Sequence, residues 1–234
     1  SEDFMGEHTH GPFVVTLPTT SFTQYLYGQQ YLDFNTAAAG IVGAVTSTAD
    51  AAGDLVITDA LTAPSVGRYS SGNGKTYSSQ VRFFIYNNTS SLLTTATFFY
   101  LGFCDNSSAT APGFPSSGDT WVGVGYDHST GLLTLKTSEL GTVSTTSVAI
   151  SNFATESDLG QPFNLKLSWS ATQVVARLTT DNGNINATLT LSTNIAQFGG
   201  QLIFKSHVKC PSSGALTSTY VDFIDLLCTY DAAA

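Results

Sequence analysis

The chain has 234 residues, of which 42% are hydrophobic and 11% are charged, and eight basic against 17 acidic residues give a formal net charge of −9. Such an acidic chain repels a phosphate backbone, which excludes nucleic acid as a partner. All apolar runs are shorter than a membrane span, and the chain opens without the hydrophobic region of a secretory signal. The totals therefore indicate a turn-rich all-β protein with a sizeable core and no membrane insertion.

Residues 1–12 predict an extended N-terminal arm. This segment is acidic, contains few apolar residues and ends in Gly-Pro, a sequence that interrupts regular structure. The remainder, residues 13–234, is expected to form a single domain, because neither a linker nor an internal repeat divides it.

The domain reads as a series of β-type segments spaced about 8 to 12 residues apart. The two longest of them, 76–86 and 95–104, are apolar on both faces and are expected at the centres of sheets. No stretch keeps a helical period of 3.6 residues for long, so any helix is expected to be short. Outside the segment 161–191, the predicted strands are 13–17, 41–48, 55–58, 76–86, 95–104, 120–127, 132–137, 143–150, 201–208 and 220–230.

Segment 161–191 predicts a three-stranded antiparallel meander. Phe163, Leu165, Leu167 and Trp169 alternate with polar residues, so one face of the first strand is apolar. Short polar turns at 170–172 and 181–184 allow two hairpin connections. A lone meander cannot bury its apolar face, so a second sheet must cover it. The predicted fold class is an all-β, two-sheet antiparallel β-sandwich of the jelly-roll type.

Three stretches resemble a known family. They are GVGYDHSTGLLTLKT, PFNLKLSWSATQVVARLTTDNG and TSTYVDFIDLLCTY. Together they resemble the concanavalin A-like lectin/glucanase jelly roll, in the form carried on bacteriophage virion proteins such as tail fibres and capsid decoration proteins. The resemblance covers roughly 76–230. It consists of strand and turn patterns, so it specifies the fold better than the function.

The resemblance implies a non-enzymatic structural protein of the virion surface. Its arm would attach to other capsid or tail proteins, it would form a homo-oligomer, and it would contact host glycans. The alternatives are a free, secreted carbohydrate-binding lectin and, less favoured, an extracellular glycoside hydrolase.

The hydrolase alternative lacks a complete catalytic set. The glucanase branch of this family uses the strand pattern E-x-D-x-x-E, and the nearest match is 156–161, which ends in Gln161. An amide cannot donate and recover a proton at ordinary pH. The flanking residues also predict a turn there, so no catalytic residue is assigned.

Two candidate metal sites follow from the family. Asp105 and Asp119 bracket a long Pro/Gly/Ser-rich loop predicted at 106–118 and supply the hard oxygen atoms that Ca²⁺ prefers. The E-x-D strand of the lectin branch is missing, which favours solvated carboxylates. His8 and His10 on the arm match the way phage fibres hold iron between three chains, and a disordered arm is the favoured alternative.

Exposed aromatic residues are the predicted glycan contacts, because sugar C–H faces stack on such rings. The candidates are Tyr25, Tyr27, Tyr31 and Phe114, with core packing as the alternative. The three cysteines, Cys104, Cys210 and Cys228, show no metal-ligand spacing and are expected to be buried thiols, with a Cys210–Cys228 pair left open.

Overall fold

The computed structural model describes residues 2–3, 13–16, 22–26, 42–46, 52–59, 75–87, 98–104, 119–198, 203–209 and 217–230. It describes side chains within 76–84, 100–104, 119–157 and 159–198. These residues form fifteen strands and one short helix. The strands are β1 (Glu2–Asp3), β2 (Phe13–Thr16), β3 (Phe22–Leu26), β4 (Val42–Thr46), β5 (Ala52–Asp59), β6 (Lys75–Asn87), β7 (Phe98–Cys104), β8 (Trp121–Asp127), β9 (Leu132–Glu139), β10 (Thr142–Ala149), β11 (Phe163–Trp169), β12 (Val174–Thr180), β13 (Asn186–Leu191), β14 (Ile203–Lys209) and β15 (Thr217–Tyr230), and the helix is α1 (Phe153–Asp158).

The strands build two antiparallel sheets. The eight-stranded sheet has the order β13-β12-β11-β6-β15-β4-β3, with β1 paired to β15 off this path, and the seven-stranded sheet has the order β10-β9-β8-β7-β14-β5-β2. The predicted central positions are confirmed, because β6 and β7 each lie in the middle of a sheet. The predicted all-β, two-sheet antiparallel architecture is thus confirmed.

The core lies between the sheets and follows the alternation read from the sequence. In β11 every second side chain, from Phe163 to Trp169, is buried, and β12 repeats this pattern beside it. From the other sheet, Leu101 of β7 and Val124 of β8 join the same cluster of buried residues. Burying apolar area of this kind is the main favourable term in folding.

A stack of aromatic rings crosses this core from one sheet to the other. Phe83 of β6 stacks on Phe163 of β11, with the ring centroids 5.5 Å apart. Phe163 stacks on Phe153 of α1 at 4.6 Å, and Phe153 stacks on Tyr126 of β8 at 3.9 Å. The helix therefore contributes the ring that joins the two sheets at this end of the sandwich.

Three features differ from the sequence predictions. Residues 153–158 form helix α1, whereas the segment beginning at Glu156 was expected to be a turn, because burial of Phe153 holds these residues against the core. Strand β3 was not predicted at 22–26. Strand β5 begins at Ala52, three residues before the strand predicted at 55–58, because pairing with β14 outweighs the weak strand propensity of Ala, Gly and Asp.

The N-terminal arm over residues 1–12 stays a prediction. Glu2 and Asp3 pair with Ile224 and Phe223 of β15, and the other ten residues of that segment lie outside the described part of the chain. A search of the described residues finds no helix long and apolar enough to cross a membrane.

Candidate functional site

Two large aromatic side chains are buried on the outer face of the seven-stranded sheet. Leu101 and Val122 point into the core, so their chain neighbours Tyr100 and Trp121 point to the opposite face. Tyr100 is nevertheless 0% exposed and Trp121 only 2%. Their rings meet edge to face, with centroids 6.4 Å apart and an interplanar angle of 85°. The two rings therefore form a buried aromatic layer on a face that an antiparallel sheet usually leaves to solvent.

Two glycines form the floor on which the Tyr100 ring lies. Gly102 and Gly123 are directly opposite each other in β7 and β8. A Cβ atom on Gly123 would approach two ring carbons and the hydroxyl oxygen of Tyr100 to 2.4–2.6 Å, and one on Gly102 would lie 2.3 Å from the Val122 carbonyl oxygen. The Tyr100 hydroxyl donates a hydrogen bond of 3.4 Å to that same oxygen. Only glycine allows the ring to pack this closely to the sheet.

This layer lies where β7 ends and β8 begins. Cys104 and Trp121 are paired residues, so segment 105–118 connects two neighbouring points of one rigid sheet. The Ser138 hydroxyl of β9 donates a hydrogen bond of 2.9 Å to the Asp119 carbonyl oxygen and fixes the return of the chain into β8. A binding loop at this position would have firmly held ends.

Two lysines occupy the strand positions that pair with Gly102 and Gly123. Lys136 of β9 pairs with Gly123, and Lys205 of β14 pairs with Gly102, so the four residues form one row across four strands. Lys136 is half-buried, and this burial lowers the pKa of its ammonium group below the ordinary value for lysine. The row contains two basic residues in a chain whose net charge is −9.

The tip of the β9–β10 hairpin exposes an apolar side chain, Leu140, at the same end of the sheet as the start of β8. Leu140 and Gly141 have φ angles of 46° and 90°, as in a type I′ turn, where Asn-Gly is the preferred sequence. Leu140 is 80% exposed, so it carries both an unfavourable backbone conformation and an unfavourable contact with water. Glu139 accepts a 2.6 Å hydrogen bond from the Gln197 backbone N–H, which ties the hairpin to the chain beyond β13.

Glu156, the first residue of the near-match to the glucanase pattern, is part of a structural hydrogen-bond network. It is 2% exposed and lies on α1 rather than on a strand. Its carboxylate accepts hydrogen bonds of 2.6 Å from the Asn182 amide and 2.8 Å from the Asn184 amide, both in the β12–β13 turn. Both carboxylate oxygens are thus engaged in joining the helix to that turn.

The β8–β9 turn contains the His128 that follows Asp127. The Asp127 carboxylate accepts hydrogen bonds from the Ser129 backbone N–H at 2.9 Å and from the Ser129 hydroxyl at 2.5 Å. His128 instead contacts Tyr126, whose hydroxyl lies 3.2 Å from Nδ1 of the imidazole. Burial, and then the negative charge of Asp127, raise the pKa of Tyr126 to about 12.

The raised Tyr126 pKa predicts a loss of stability at high pH. An unfolded tyrosine ionises near pH 10, whereas folded Tyr126 stays protonated up to a pH of about 12, so stability falls as the pH rises through this window. Wild-type protein should lose about 2 kcal/mol of stability from this residue between pH of about 10 and about 11.5, and Tyr126→Phe should abolish that pH-dependent loss because phenylalanine cannot ionise. Urea unfolding of both proteins across this range measures it. A difference in stability that is constant with pH would contradict the prediction.

Most of the residues predicted as site residues lie outside the described part of the chain. These are His8, His10, Tyr27, Tyr31, Asp105 and Phe114. Tyr25 lies in β3, opposite Gly43 of β4. Asp119 is half-buried and lies two residues before β8. Cys104 is a buried thiol, as expected, and Cys228 lies opposite Tyr77 of β6, while Cys210 is outside the described residues.

Comparisons with known proteins identify the fold. The structure resembles the seed lectin of Lotus tetragonolobus (TM-score 0.61, 9% identity, 100% of this chain and 99% of that chain). It also resembles arcelin-5, a lectin-like defense protein from Phaseolus vulgaris (TM-score 0.65, 8% identity, 98% of this chain and 97% of that chain). A third similar structure is the exoplasmic/lumenal domain of VIP36 in its Ca²⁺/Man3GlcNAc-bound form (TM-score 0.59, 8% identity, 95% of this chain and 86% of that chain). No protein-family model and no curated protein sequence matches the chain. The fold is therefore the concanavalin A-like jelly roll of the legume lectins, as the sequence resemblance implied.

The described residues do not by themselves fit a Ca²⁺ ion. Such an ion takes six to eight oxygen ligands. The outer face at the β7–β8 end instead offers the rings of Tyr100 and Trp121 and the thiol of Cys104. Within the part of the chain that the structure describes, no three His, Cys, Asp or Glu side chains come together as a metal site would require.

Proposed function

We propose that this chain is a non-catalytic carbohydrate-binding protein. Its site would lie at the rim of the seven-stranded sheet where β7 ends, β8 begins and the β9–β10 hairpin turns. The observation that carries the proposal is the Tyr100–Trp121 layer on the glycine floor, which anchors both ends of that segment. The fold supports it, because similar structures include a seed lectin and a domain bound to Man3GlcNAc.

The chemistry of the rim suits a sugar. Leu140 offers an apolar surface to the C–H face of a sugar ring, and Phe114 in the neighbouring segment is the aromatic candidate from the sequence. Asp119 of the predicted metal pair lies two residues before β8, at this same end of the sheet. Whether Asp105 or an ion takes part stays a prediction.

A glycan-hydrolysing activity is not favoured by this geometry. A retaining pair of carboxyl groups must lie about 5 Å apart on either side of the scissile bond. Glu156 is buried, and the amides of Asn182 and Asn184 engage its two carboxylate oxygens. It therefore has neither access to a sugar nor a free oxygen to act as nucleophile.

The virion-surface role stays a separate prediction. It would combine glycan contact with attachment through residues 1–12, and the secreted lectin is its alternative. Mass spectrometry of purified virus particles tests this role. If the chain were absent from the particles, the secreted lectin would be the favoured alternative. The proposal of carbohydrate binding holds for either location.

A glycan array probed with the full chain tests the proposed function. We expect selective binding to a small set of glycans, and an array without any bound glycan would overturn the proposal. For a glycan that binds, Leu140→Asn is expected to stabilise the type I′ turn by about 0.5–1 kcal/mol and to weaken binding at least about threefold, because Asn removes the apolar contact.

The matched control is Leu159→Asn. Leu159 is also exposed, at 62%, but it follows α1 at the opposite end of β10 from Leu140. Affinity should be unchanged in this variant. Equal affinities for wild type and Leu140→Asn would show that the hairpin tip is not part of the site. Phe114→Ala then tests segment 105–118 directly.

A further inference from the structure

The β12–β13 turn contains the pair Asn182-Gly183, whose asparagine is prone to lose its side-chain amide. Asparagine is a thermolabile residue, and a following glycine has no side chain to hinder attack by its backbone nitrogen. Both residues are exposed, so water reaches them. A second pair of the same kind, Asn73-Gly74, occurs elsewhere in the sequence. The chain thus contains an internal reference for the reactivity of the turn.

The turn holds Asn182 in a conformation from which this reaction cannot start. The Gly183 backbone N–H donates a 3.0 Å hydrogen bond to the Thr180 carbonyl oxygen, which closes a β-turn. Asn182 has a negative φ, so the turn is type I, with a ψ of about 0° at Asn182. Ring closure instead requires the Gly183 nitrogen to eclipse the Asn182 side chain about the Cα–C bond. The turn must therefore open before that nitrogen can attack.

Hydrogen bonds also hold the Asn182 side chain at both of its polar atoms. Its amide nitrogen donates a 2.6 Å bond to one carboxylate oxygen of Glu156. Its oxygen accepts bonds of 2.8 Å from the Thr180 hydroxyl and 3.1 Å from the Asn184 backbone N–H. The Asn184 amide donates to the other Glu156 oxygen at 2.8 Å. Because Glu156 is almost fully buried on α1, opening the turn breaks hydrogen bonds to a buried charge.

We propose that Asn182-Gly183 is a deamidation site that the hydrogen bonds to Glu156 keep closed. When the turn opens, the Gly183 nitrogen loses its proton and bonds to the side-chain carbonyl carbon of Asn182. The carbon–nitrogen bond of the amide then breaks, and ammonia leaves with that proton. Water opens the resulting succinimide ring at either carbonyl, which leaves aspartate or isoaspartate. Water is the sole co-reactant, and no group is oxidised or reduced.

The product does not fit the hydrogen-bond network, so the modification weakens the structure that slowed it. A carboxylate at position 182 would replace the amide that now donates to Glu156 over 2.6 Å. Two carboxylates at such a distance repel each other, and neither has a proton to donate. Isoaspartate would also add a carbon atom to the backbone of the turn. Deamidation therefore separates α1 from the β12–β13 turn, and it does so irreversibly.

The rate of deamidation tests this protection, because it should follow the population of the open turn. During incubation of the full chain in mildly alkaline buffer, Asn182 should react at least about tenfold more slowly in the folded protein than in urea. Glu156→Ala should accelerate the reaction in the folded protein at least about tenfold. Trypsin releases the two Asn-Gly pairs on different peptides, 69–75 and 178–205, and mass spectrometry with fragmentation measures each rate.

Two controls separate the Glu156 hydrogen bonds from a general loss of structure. Asn73 should keep its wild-type rate in Glu156→Ala. Arg177→Ala removes the 3.1 Å hydrogen bond from Arg177 to Asn186 in the same hairpin but outside the turn, and it should leave the Asn182 rate unchanged. Circular dichroism checks that each variant is folded. If Glu156→Ala does not fold, Glu156→Gln replaces it, and an intermediate rate is expected because an amide accepts from only one of the two asparagines.

The consequence of the modification is tested with a variant that imitates its product. Asn182→Asp should lower the urea concentration at the unfolding midpoint, because it places two carboxylates together. Adding Glu156→Gln should restore the midpoint at least partly, since the new amide can donate to the new carboxylate and still accept from Asn184. Simple loss of the asparagine side chain would not be rescued in this way.

Three outcomes would overturn the inference. They are equal rates at Asn182 in the folded protein and in urea, an Asn182 rate that the Glu156 variants leave unchanged, and an Asn182→Asp protein as stable as wild type. Failure of Glu156→Gln to rescue Asn182→Asp would overturn the proposed repulsion. None of these measurements depends on glycan binding.

Discussion

Replacing Gly102 with alanine is expected to lower the free energy of unfolding by at least about 3 kcal/mol. The new Cβ atom would lie 2.3 Å from the Val122 carbonyl oxygen, 2.6 Å from the Cα atom of Gly123 and close to the Tyr100 hydroxyl oxygen. The first two are backbone atoms of the neighbouring strand, so neither can move without separating β7 from β8. Urea unfolding at neutral pH, with intrinsic Trp fluorescence as the signal, measures the loss.

Gly123→Ala is the matched comparison, because its close contacts are of a different kind. All three nearest atoms belong to the Tyr100 side chain, at 2.4–2.6 Å. Removing that ring should therefore relieve the clash at Gly123 but not the one at Gly102. In a Tyr100→Ala background, we expect Gly123→Ala to cost less than about 1 kcal/mol and Gly102→Ala to keep most of its cost. Equal costs in both backgrounds would show that Tyr100 does not rest on the glycine floor.

Glu156→Ala is expected to destabilise the protein by about 2–3 kcal/mol. The carboxylate is almost fully buried and accepts a hydrogen bond from each of Asn182 and Asn184. Hydrogen bonds to a charged group contribute more than neutral ones, and their loss also frees α1 from the β12–β13 turn. Thermal and urea unfolding of the variant measure the change, while glycan binding at the distant rim should be unaffected.

A double-mutant cycle with Asn182→Ala separates this network from a general packing effect. If the bond between the two residues carries the stability, the double variant should cost clearly less than the sum of the single variants. Glu156→Gln is informative as well, because an amide can accept from only one of the two asparagines and should lie between wild type and Glu156→Ala. A loss below about 0.5 kcal/mol for Glu156→Ala would contradict the structural role.

The sequence predicts much of this fold because strand alternation is a local signal. The 163–169 alternation corresponds to the buried and exposed positions of β11, and the turns at 170–172 and 181–184 lie where polar residues interrupt it. Helix α1 has no such signal, since six residues are too few to show a helical period and the position of Phe153 depends on rings from β8 and β11. Strand β3 likewise depends on its partner β4.

The candidate site is harder to predict because it depends on pairs of distant residues. The run 95–104 is apolar on both faces, which predicted a central strand, and that same pattern was the available sign that Tyr100 is buried on the outer face of the sheet. The role of Gly102 and Gly123 is visible only once their register is known, since each glycine by itself weakens a strand. Similarly, Glu156 finds its partners 26 and 28 residues along the chain.

The ring stack from Phe83 through Phe163 and Phe153 to Tyr126 has a consequence for folding kinetics. Its outer members come from β6 and β8, so the stack closes only after strands far apart in the chain have come together, and such non-local contacts make folding slow. We expect α1 to pack late in folding and to connect the two sheets after they have formed. A truncation of the Phe153 ring would then speed unfolding far more than it slows refolding.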